Sequence, residues 1–525
     1  MSNYYDIHCH IFNRNVIIRK LFNVVQSVLV IKDLLDKEIP AEDLRYKIDG
    51  ITRTLEEVSE DTSEKVFNAL NKVYNDQVVV TPLMFDLTFA DDNDQDESKN
   101  KRYRKRIKRI IWLLTLLMPI VKSKAKRKFK NEELQKAIDN IQDAVKEFHK
   151  SLEKKSAKEM ELFDDGNFEQ QIAELEYLAG KNKNIRPFFS VDPRREYTGQ
   201  ANMIELLKEK LLGENAKFAG VKLYSPAGFS PTDPVLMGTP GQKGVYEFCV
   251  ENKIPVTVHN SNAGFACFSK FLRVRGHVYH NNIVTPINQV VKFQHDFFGL
   301  KAAEAIKERA RYLNHPKLWQ LVLQKYPTLT INFAHFGGGG EIMDYINYKI
   351  IDTKIETIIF EDRIQHLTDE QKSALRNGFQ KKGRFMLLKE NLTISERAKI
   401  WNIIYAAEIS DNWSKAIFDL IKNPAYPNAF TDLSCFSVGT LIKTPNSNQL
   451  FFSIKENLKN FKTSFFDKLN DYEKSKILYG SDFFLTQFFG PTMQDYFDDF
   501  REAFGGDFDL IAKVNPEKFL NIKTN

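Results

Sequence analysis

The chain has 525 residues, 42% hydrophobic, 12% aromatic and 27% charged, with a formal net charge of +6. That balance excludes a disordered or fibrous chain and allows a large buried core, as one big domain with insertions or as two to three ordinary domains. The charge is unevenly placed: fourteen lysines and arginines, and no acid, fall between Lys99 and Lys130, so the rest of the chain is net negative.

The first element is YYDIHCHIF, a strand-like apolar run with His8 and His10 two apart. Alternation puts Asp6, His8 and His10 on one side and Ile7, Cys9 and Ile11 on the other, so two imidazoles converge on one point. This suits a metal, and equally two half-exposed histidines on an edge strand. No basic-then-apolar signal segment precedes the run. The four cysteines (Cys9, Cys249, Cys267, Cys435) form no CxxC pair, and a reduced, cytoplasmic protein is expected.

A helical insertion is expected over 14–75, followed by a second strand, QVVVTPLMFDL, which ends near Asp86. The insertion at 90–168 opens with a charged loop tip, DDNDQDESKNK, and contains the basic segment 99–130, whose apolar centre runs from Ile110 to Val121. That centre is too short to cross a bilayer as a helix, which takes about twenty residues. The segment reads either as a helix packed on the body with solvated basic ends, or as a peripheral surface for a membrane or another phosphate-rich partner.

Six further strand-like runs follow: IRPFFSVDPR with Arg194 and Arg195, FAGVKLYSP with Lys222, IPVTVHNSN with His259, LTINFAHFGGGG with His335, NAFTDLSCFS, and KILYGSDFF with Asp482. Stretches with apolar residues at three-to-four spacing, such as NMIELLKEKLLGE, GVYEFCVENK and PKLWQLVLQKYP, lie among them and predict helices. Alternation of strand and helix predicts a parallel sheet, and eight strands point to a closed (β/α)8 TIM barrel spanning 1–525. A bare barrel takes about 250 residues. Insertions at 14–75, 90–168, 262–315 and 341–426, mostly helical but loop-rich over 262–315, then occupy strand-to-helix loops on the face where barrel enzymes keep their chemistry.

Singly, each polar residue at a strand end has a plain structural reading: His259 or His335 as a satisfied core histidine, Lys222 as a snorkelling lysine, Asp482 as a helix cap. His277 and His280 in RGHVYHNN either reach toward substrate or, the plainer reading, sit on an exposed helix or loop. Arg194 and Arg195 either contact an anionic substrate or cap their loop, and Asp86 is placed to line a pocket. The glycine run after His335 lacks a GxxxxGK pattern and fits close backbone approach better than nucleotide binding.

The ordered set resembles the amidohydrolase superfamily, marked by His-x-His on strand one, histidines on strands five and six, and aspartate on strand eight. DIHCHIF, VDPRR, AHFGGGG and ILYGSDFF resemble more narrowly the amidohydrolase-related branch that includes aminocarboxymuconate-semialdehyde decarboxylase. The resemblance covers the eight strand regions and leaves out the insertions. It implies one divalent metal, zinc first and manganese or iron as alternatives, on His8, His10, His259 and Asp482. Asp482 would also take a proton from the attacking water, His335 would act as general acid or base, and Lys222 would face an anionic small-molecule substrate together with Arg194 and Asp86. A carboxylated Lys222 bridging a second metal is the binuclear alternative. The expected activity is hydrolysis of an amide, cyclic amide or lactone, with non-oxidative decarboxylation as the runner-up, and a scaffold with a relic barrel as the non-enzymatic option. Association into homo-oligomers is expected only by analogy with other barrels.

Overall fold

The structure is a computed structural model that describes residues 4–11, 62–75, 78–86, 88–90, 165–267, 269–295, 302–347, 411–436, 454–483, 485–488 and 491–522. It also describes short pieces at 49–50, 139, 358–360, 369, 372–373, 378–382, 385–389, 391–393, 395–396, 400, 442–443 and 450–451. The basic segment 99–130, the acidic tip before it and most of the insertions at 14–75 and 90–168 lie outside the described residues.

In chain order the strands are β1 (Tyr4–Cys9), β2 (Val78–Pro82), β3 (Phe188–Val191), β4 (Gly220–Leu223) and β5 (Val256–Ser261). Next come β6 (Phe271–His280), β7 (Ile283–Lys292), β8 (Ile331–Gly337), β9 (Ile358–Phe360), β10 (Phe379–Lys382) and β11 (Phe385–Leu388). The last are β12 (Ala429–Asp432), β13 (Ile442–Lys443), β14 (Leu450–Phe451) and β15 (Ile477–Leu478). The eight strands expected from the sequence are β1–β5, β8, β12 and β15.

Six of these eight form a central parallel sheet in the order β15-β12-β8-β5-β4-β3, and β1 pairs in parallel with β2. The result is a mixed α/β architecture around a parallel sheet. Its strands are buried on both faces, which is why they read as continuous apolar runs rather than as alternating ones. The two sheets also touch through shorter contacts. Leu83 bridges Phe188, and Arg186 N donates to Val80 O at 2.9 Å. On the other side Cys9 bridges Phe483, and Asp482 N donates to His8 O at 2.7 Å.

Tyr5, Ile7, Val79, Phe188, Phe430 and Leu478 from β1, β2, β3, β12 and β15 form one apolar cluster, to which Phe519 and Leu520 near the carboxyl terminus are added. Helices cover the outside of the sheet. Met203–Leu212 starts where the Asn202 side chain accepts from Glu205 N, and Pro316–Lys325 starts at His315 with proline in its first turn. Among the described residues no helix is long and apolar enough to cross a membrane.

One insertion differs from expectation. Residues 262–315 are not loop-rich: β6 and β7 form a ten-residue antiparallel hairpin. Its turn residues Asn281 (φ 49°) and Asn282 (φ 64°) both take the left-handed conformation that a two-residue hairpin turn demands. His277 and His280 therefore lie on a strand, and His277 N donates to Thr232 Oγ1 at 2.6 Å. The described part of 341–426 holds, beside its helices, an antiparallel sheet of β9, β10 and β11.

Candidate metal centre

β1 carries His8 and His10 to the carboxyl end of the sheet, beside Asp482. His8 Nδ1 lies 3.2 Å from Asp432 Oδ2, and His10 Nδ1 lies 3.0 Å from the Leu83 carbonyl oxygen. A carboxylate and a carbonyl only accept, so each imidazole keeps its proton on Nδ1 and presents a lone pair at Nε2. Both Nε2 atoms then face the same oxygen, Asp482 Oδ1, at 3.4 Å from His8 and 3.3 Å from His10. Burial lowers the pKa of His8 to about 4 and lowers that of His10 as well, which keeps both rings neutral at ordinary pH. For Asp482 burial works toward the neutral acid, but His10 and the other histidines beside it outweigh that and hold the carboxyl below its usual range.

Three acceptors thus converge with no proton between them. Among the described residues, His8 Nε2 and Asp482 Oδ1 are buried without a hydrogen-bond partner. Leaving such atoms orphaned costs about 1–3 kcal/mol each. A cation at that point relieves the cost, so the residues present fit a divalent metal. The ligand atoms of His8, His10 and Asp482 lie within 4.8 Å of one another.

A second trio, His8, His335 and Asp432, meets the same distance criterion. Its carboxylate is already occupied, because Asp432 accepts from Asn332 Nδ2 (2.7 Å), His335 N (3.0 Å), Ser434 N (3.0 Å), Ser434 Oγ and His8 Nδ1. Burial works against ionisation of Asp432, but His8 and His335 outweigh it and hold its pKa far below normal. Asp432 therefore serves as the anchor that orients His8, and it has no lone pair to spare for an ion.

β15 approaches β1 closely at this point. A Cβ on Gly480 would come 2.8 Å from His8 Cβ and 3.2 Å from Ser434 Cβ, so only glycine fits. Asp482 follows with a left-handed φ of 51°. Asp6 accepts from Ser481 N (2.9 Å), Ser481 Oγ (2.5 Å), Tyr74 Oη (2.9 Å) and His8 N (3.3 Å), tying β1 to the segment that bears Asp482. The simple alternation expected for β1 breaks because its register shifts between Asp6 and Cys9. Asp6 consequently faces Ser481 and Tyr74 while His8 faces Asp432.

His259 was expected as a fourth ligand, and the structure does not bring it into the trio. Its Nε2 donates to the Ala263 carbonyl at 3.0 Å, its Nδ1 faces His335 Nε2 at 3.1 Å, and its ring stacks on Tyr224 at 4.3 Å. His335 is held with φ 68°, its Nδ1 lying 3.2 Å from Ser434 O and 2.9 Å from Ser434 Oγ. By the same tautomer argument His259 Nδ1 and His335 Nε2 are two lone pairs facing each other. Lys222 is buried on β4, and burial lowers its pKa to about 8 despite the favourable charges of Asp432 and Asp482. Its Nζ makes no hydrogen bond to the described residues and lies 5.9 Å from the centre of the Tyr224 ring.

Arg194 and Asp86, expected to bind substrate, are engaged by protein groups instead. Arg194 grips Asp192 through Nε (2.9 Å) and Nη2 (2.6 Å) and donates to the Phe89 and Ala227 carbonyls. Asp86 accepts from Arg195 Nε (2.7 Å) and Nη2 (3.1 Å). Such bidentate pairs fix the loop after β3. Asp432, Ser434 and Asn332 were missed in the sequence. The available signal was an acid at the carboxyl end of the seventh strand, in FTDLS.

Comparison with protein-family models, curated proteins and solved structures gives no match for the chain.

Proposed function

We propose that the protein is a metal-dependent hydrolase of the amidohydrolase kind, cleaving an amide, cyclic amide or lactone bond. One divalent cation, zinc by preference, is held by His8 Nε2, His10 Nε2 and Asp482 Oδ1. The observation that carries this reading is the convergence of three buried acceptors, two of them without a partner among the described residues. Two imidazoles and one carboxylate match the donor count of catalytic zinc sites, which keep a position open, and manganese or iron accept the same donors. The reading includes closure of the six-stranded sheet and the β1–β2 pair into a (β/α)8 barrel, supported by the contacts of Cys9 with Phe483 and of Leu83 with Phe188. It also places the protein in the cytoplasm, in keeping with four cysteines that form no disulfide.

When bound, the cation supplies Lewis acidity that activates water or polarises a substrate oxygen. The chain's own groups do the rest. Asp482 takes up a proton at Oδ2, the oxygen not turned toward the two histidines. His335 accepts or returns a proton at Nε2 while Ser434 fixes its other nitrogen. Lys222 remains largely cationic at neutral pH and meets an anionic group of the substrate. Asp432 keeps His8 in the tautomer that leaves Nε2 free.

A second reading adds another ion between His259 Nδ1 and His335 Nε2, with a carboxylated Lys222. The 3.1 Å approach of those two lone pairs favours it. Two metal equivalents per chain and a carbon dioxide adduct on Lys222 would select it over the single-ion site.

The test is a substrate screen on metal-replete protein that follows amide or lactone opening and carbon dioxide release in parallel. Hydrolysis abolished by His10→Ala and by chelation supports the proposal. Carbon dioxide release without hydrolysis would make the protein a lyase.

A further inference from the structure

A cavity of about 450 Å³ opens at the amino-terminal ends of β3, β4 and β5, the end of the sheet opposite His8 and Asp482. Three segments frame it: 183–186 leading into β3, 216–219 leading into β4, and 252–255 leading into β5. Its volume lies within the range of small-molecule sites.

The lining combines two chemistries. Ile185, Leu211, Phe218, Ile254 and Leu520 supply an apolar wall, with Ile185, Phe218, Ile254 and Leu520 themselves buried. Lys183, Arg186, Lys217 and Lys253 supply four cations, and no aspartate or glutamate lines the cavity. Glu517 stands nearby, but it faces the Tyr5 hydroxyl at 3.5 Å. Elsewhere on the described surface, lysines such as Lys210, Lys243, Lys455 and Lys462 sit within ion-pair distance of a carboxylate. The four cavity cations have no such partner among the described residues.

Lys253 has a left-handed φ of 55°, a conformation that glycine or asparagine adopts far more readily than lysine. It is held there by Ile254 N donating to Cys249 O at 2.9 Å and by Asn521 Nδ2 donating to Lys253 O at 2.8 Å. The first of these bonds closes the helix Val245–Glu251, whose end places Lys253 in the left-handed position and sets its side chain at the cavity rim.

We propose that this cavity is a second ligand site, separate from the metal centre, for a small organic phosphate whose apolar body packs on Ile185, Phe218 and Ile254. Four cations around one mouth repel one another. A monocarboxylate brings a single charge, whereas a phosphate monoester brings nearly two at neutral pH and three acceptor oxygens to share among them. The inference does not depend on the hydrolase reading.

The test is calorimetric titration of the full-length protein with phenyl phosphate, inorganic phosphate and phenol. Phenyl phosphate binds saturably and at least about tenfold more tightly than either inorganic phosphate or phenol, since each of these lacks one half of the recognition. The Lys217→Gln/Lys253→Gln double variant, changed only at exposed side chains, weakens phenyl phosphate by about tenfold or more. His10→Ala protein and chelator-treated wild type bind it as wild type does, which separates this cavity from the metal centre. Absence of saturable binding, binding that survives the double substitution, binding lost with the metal centre, or equal affinity for inorganic phosphate would each overturn the proposal.

Discussion

His8 Nδ1 and Asp432 Oδ2 face each other across 3.2 Å with both side chains fully buried. This contact joins the first strand to the twelfth and decides which nitrogen of His8 is left for an ion. Asp432→Asn offers an amide that cannot accept at both former oxygen positions, so the His8 proton is no longer fixed on Nδ1. Zinc affinity, measured by competition with a chromogenic chelator, should fall about 10–100-fold, the usual cost of losing a partner behind a metal-binding histidine. Unchanged affinity would mean that Asp432 is only a structural acceptor.

Gly480 permits the approach of β15 to His8. Gly480→Ala should lower stability by about 1–3 kcal/mol in denaturant unfolding, as expected for a methyl group forced into a packed site, and should weaken metal binding with it. At Gly506 a Cβ would meet nothing within 4 Å, so Gly506→Ala serves as the control and should leave both properties near wild type.

Much of this arrangement follows from local patterns. All eight expected parallel strands are present, because each is an apolar, β-branched run buried on both faces, and that signal is strong over four or five residues. His8, His10 and Asp482 come together because the carboxyl ends of β1 and β15 meet, through Asp482 N on His8 O and Cys9 beside Phe483. What escaped the sequence depends on distant partners or on single turns. Asp432 belongs to no ligand motif and acquires its role only from His8, 424 residues away. His259 departs from the expected ligand set because its Nε2 is taken by Ala263 O and its Nδ1 turns toward His335 rather than toward the trio. The β6–β7 hairpin was signalled by asparagines at 281 and 282 between two β-branched runs, a short turn cue inside a segment that otherwise looked irregular.

Lys222 gives a prediction that separates charge from fold. Lys222→Met keeps the length of the side chain and removes a buried ammonium whose pKa is lowered to about 8 by burial. The variant should fold at least as well as wild type, since removing a buried charge that makes no hydrogen bond to the described residues relieves desolvation. For an anionic substrate it should raise KM by about tenfold or more, with a smaller change in kcat. A collapse of kcat with KM unchanged would place the lysine in the chemical step.

Glu341, in the first turn of the helix Gly339–Asn347, accepts from Asn262 Nδ2 (2.6 Å) and Trp413 N (2.9 Å). Burial raises its pKa from 4.5 to about 7. The folded state holds this proton where the unfolded chain has released it, so the contribution to stability is full below the unfolded pKa and is lost as pH rises toward about 7. The stability of wild type relative to Glu341→Gln, from urea unfolding at a series of pH values, should therefore decline between about pH 4.5 and 7. A difference that is flat or rises over that interval would contradict the assignment.

The central claim is that three buried acceptors on His8, His10 and Asp482 exist to hold a cation. The measurement that tests it most directly is the metal content of the full-length protein after equilibration with zinc and removal of free ion, read by plasma mass spectrometry. The account predicts about one tightly held zinc per chain in wild type, lost in His10→Ala and in Asp482→Ala proteins whose circular dichroism matches wild type. Wild type that retains no divalent metal, or variants that retain it in full, would contradict it.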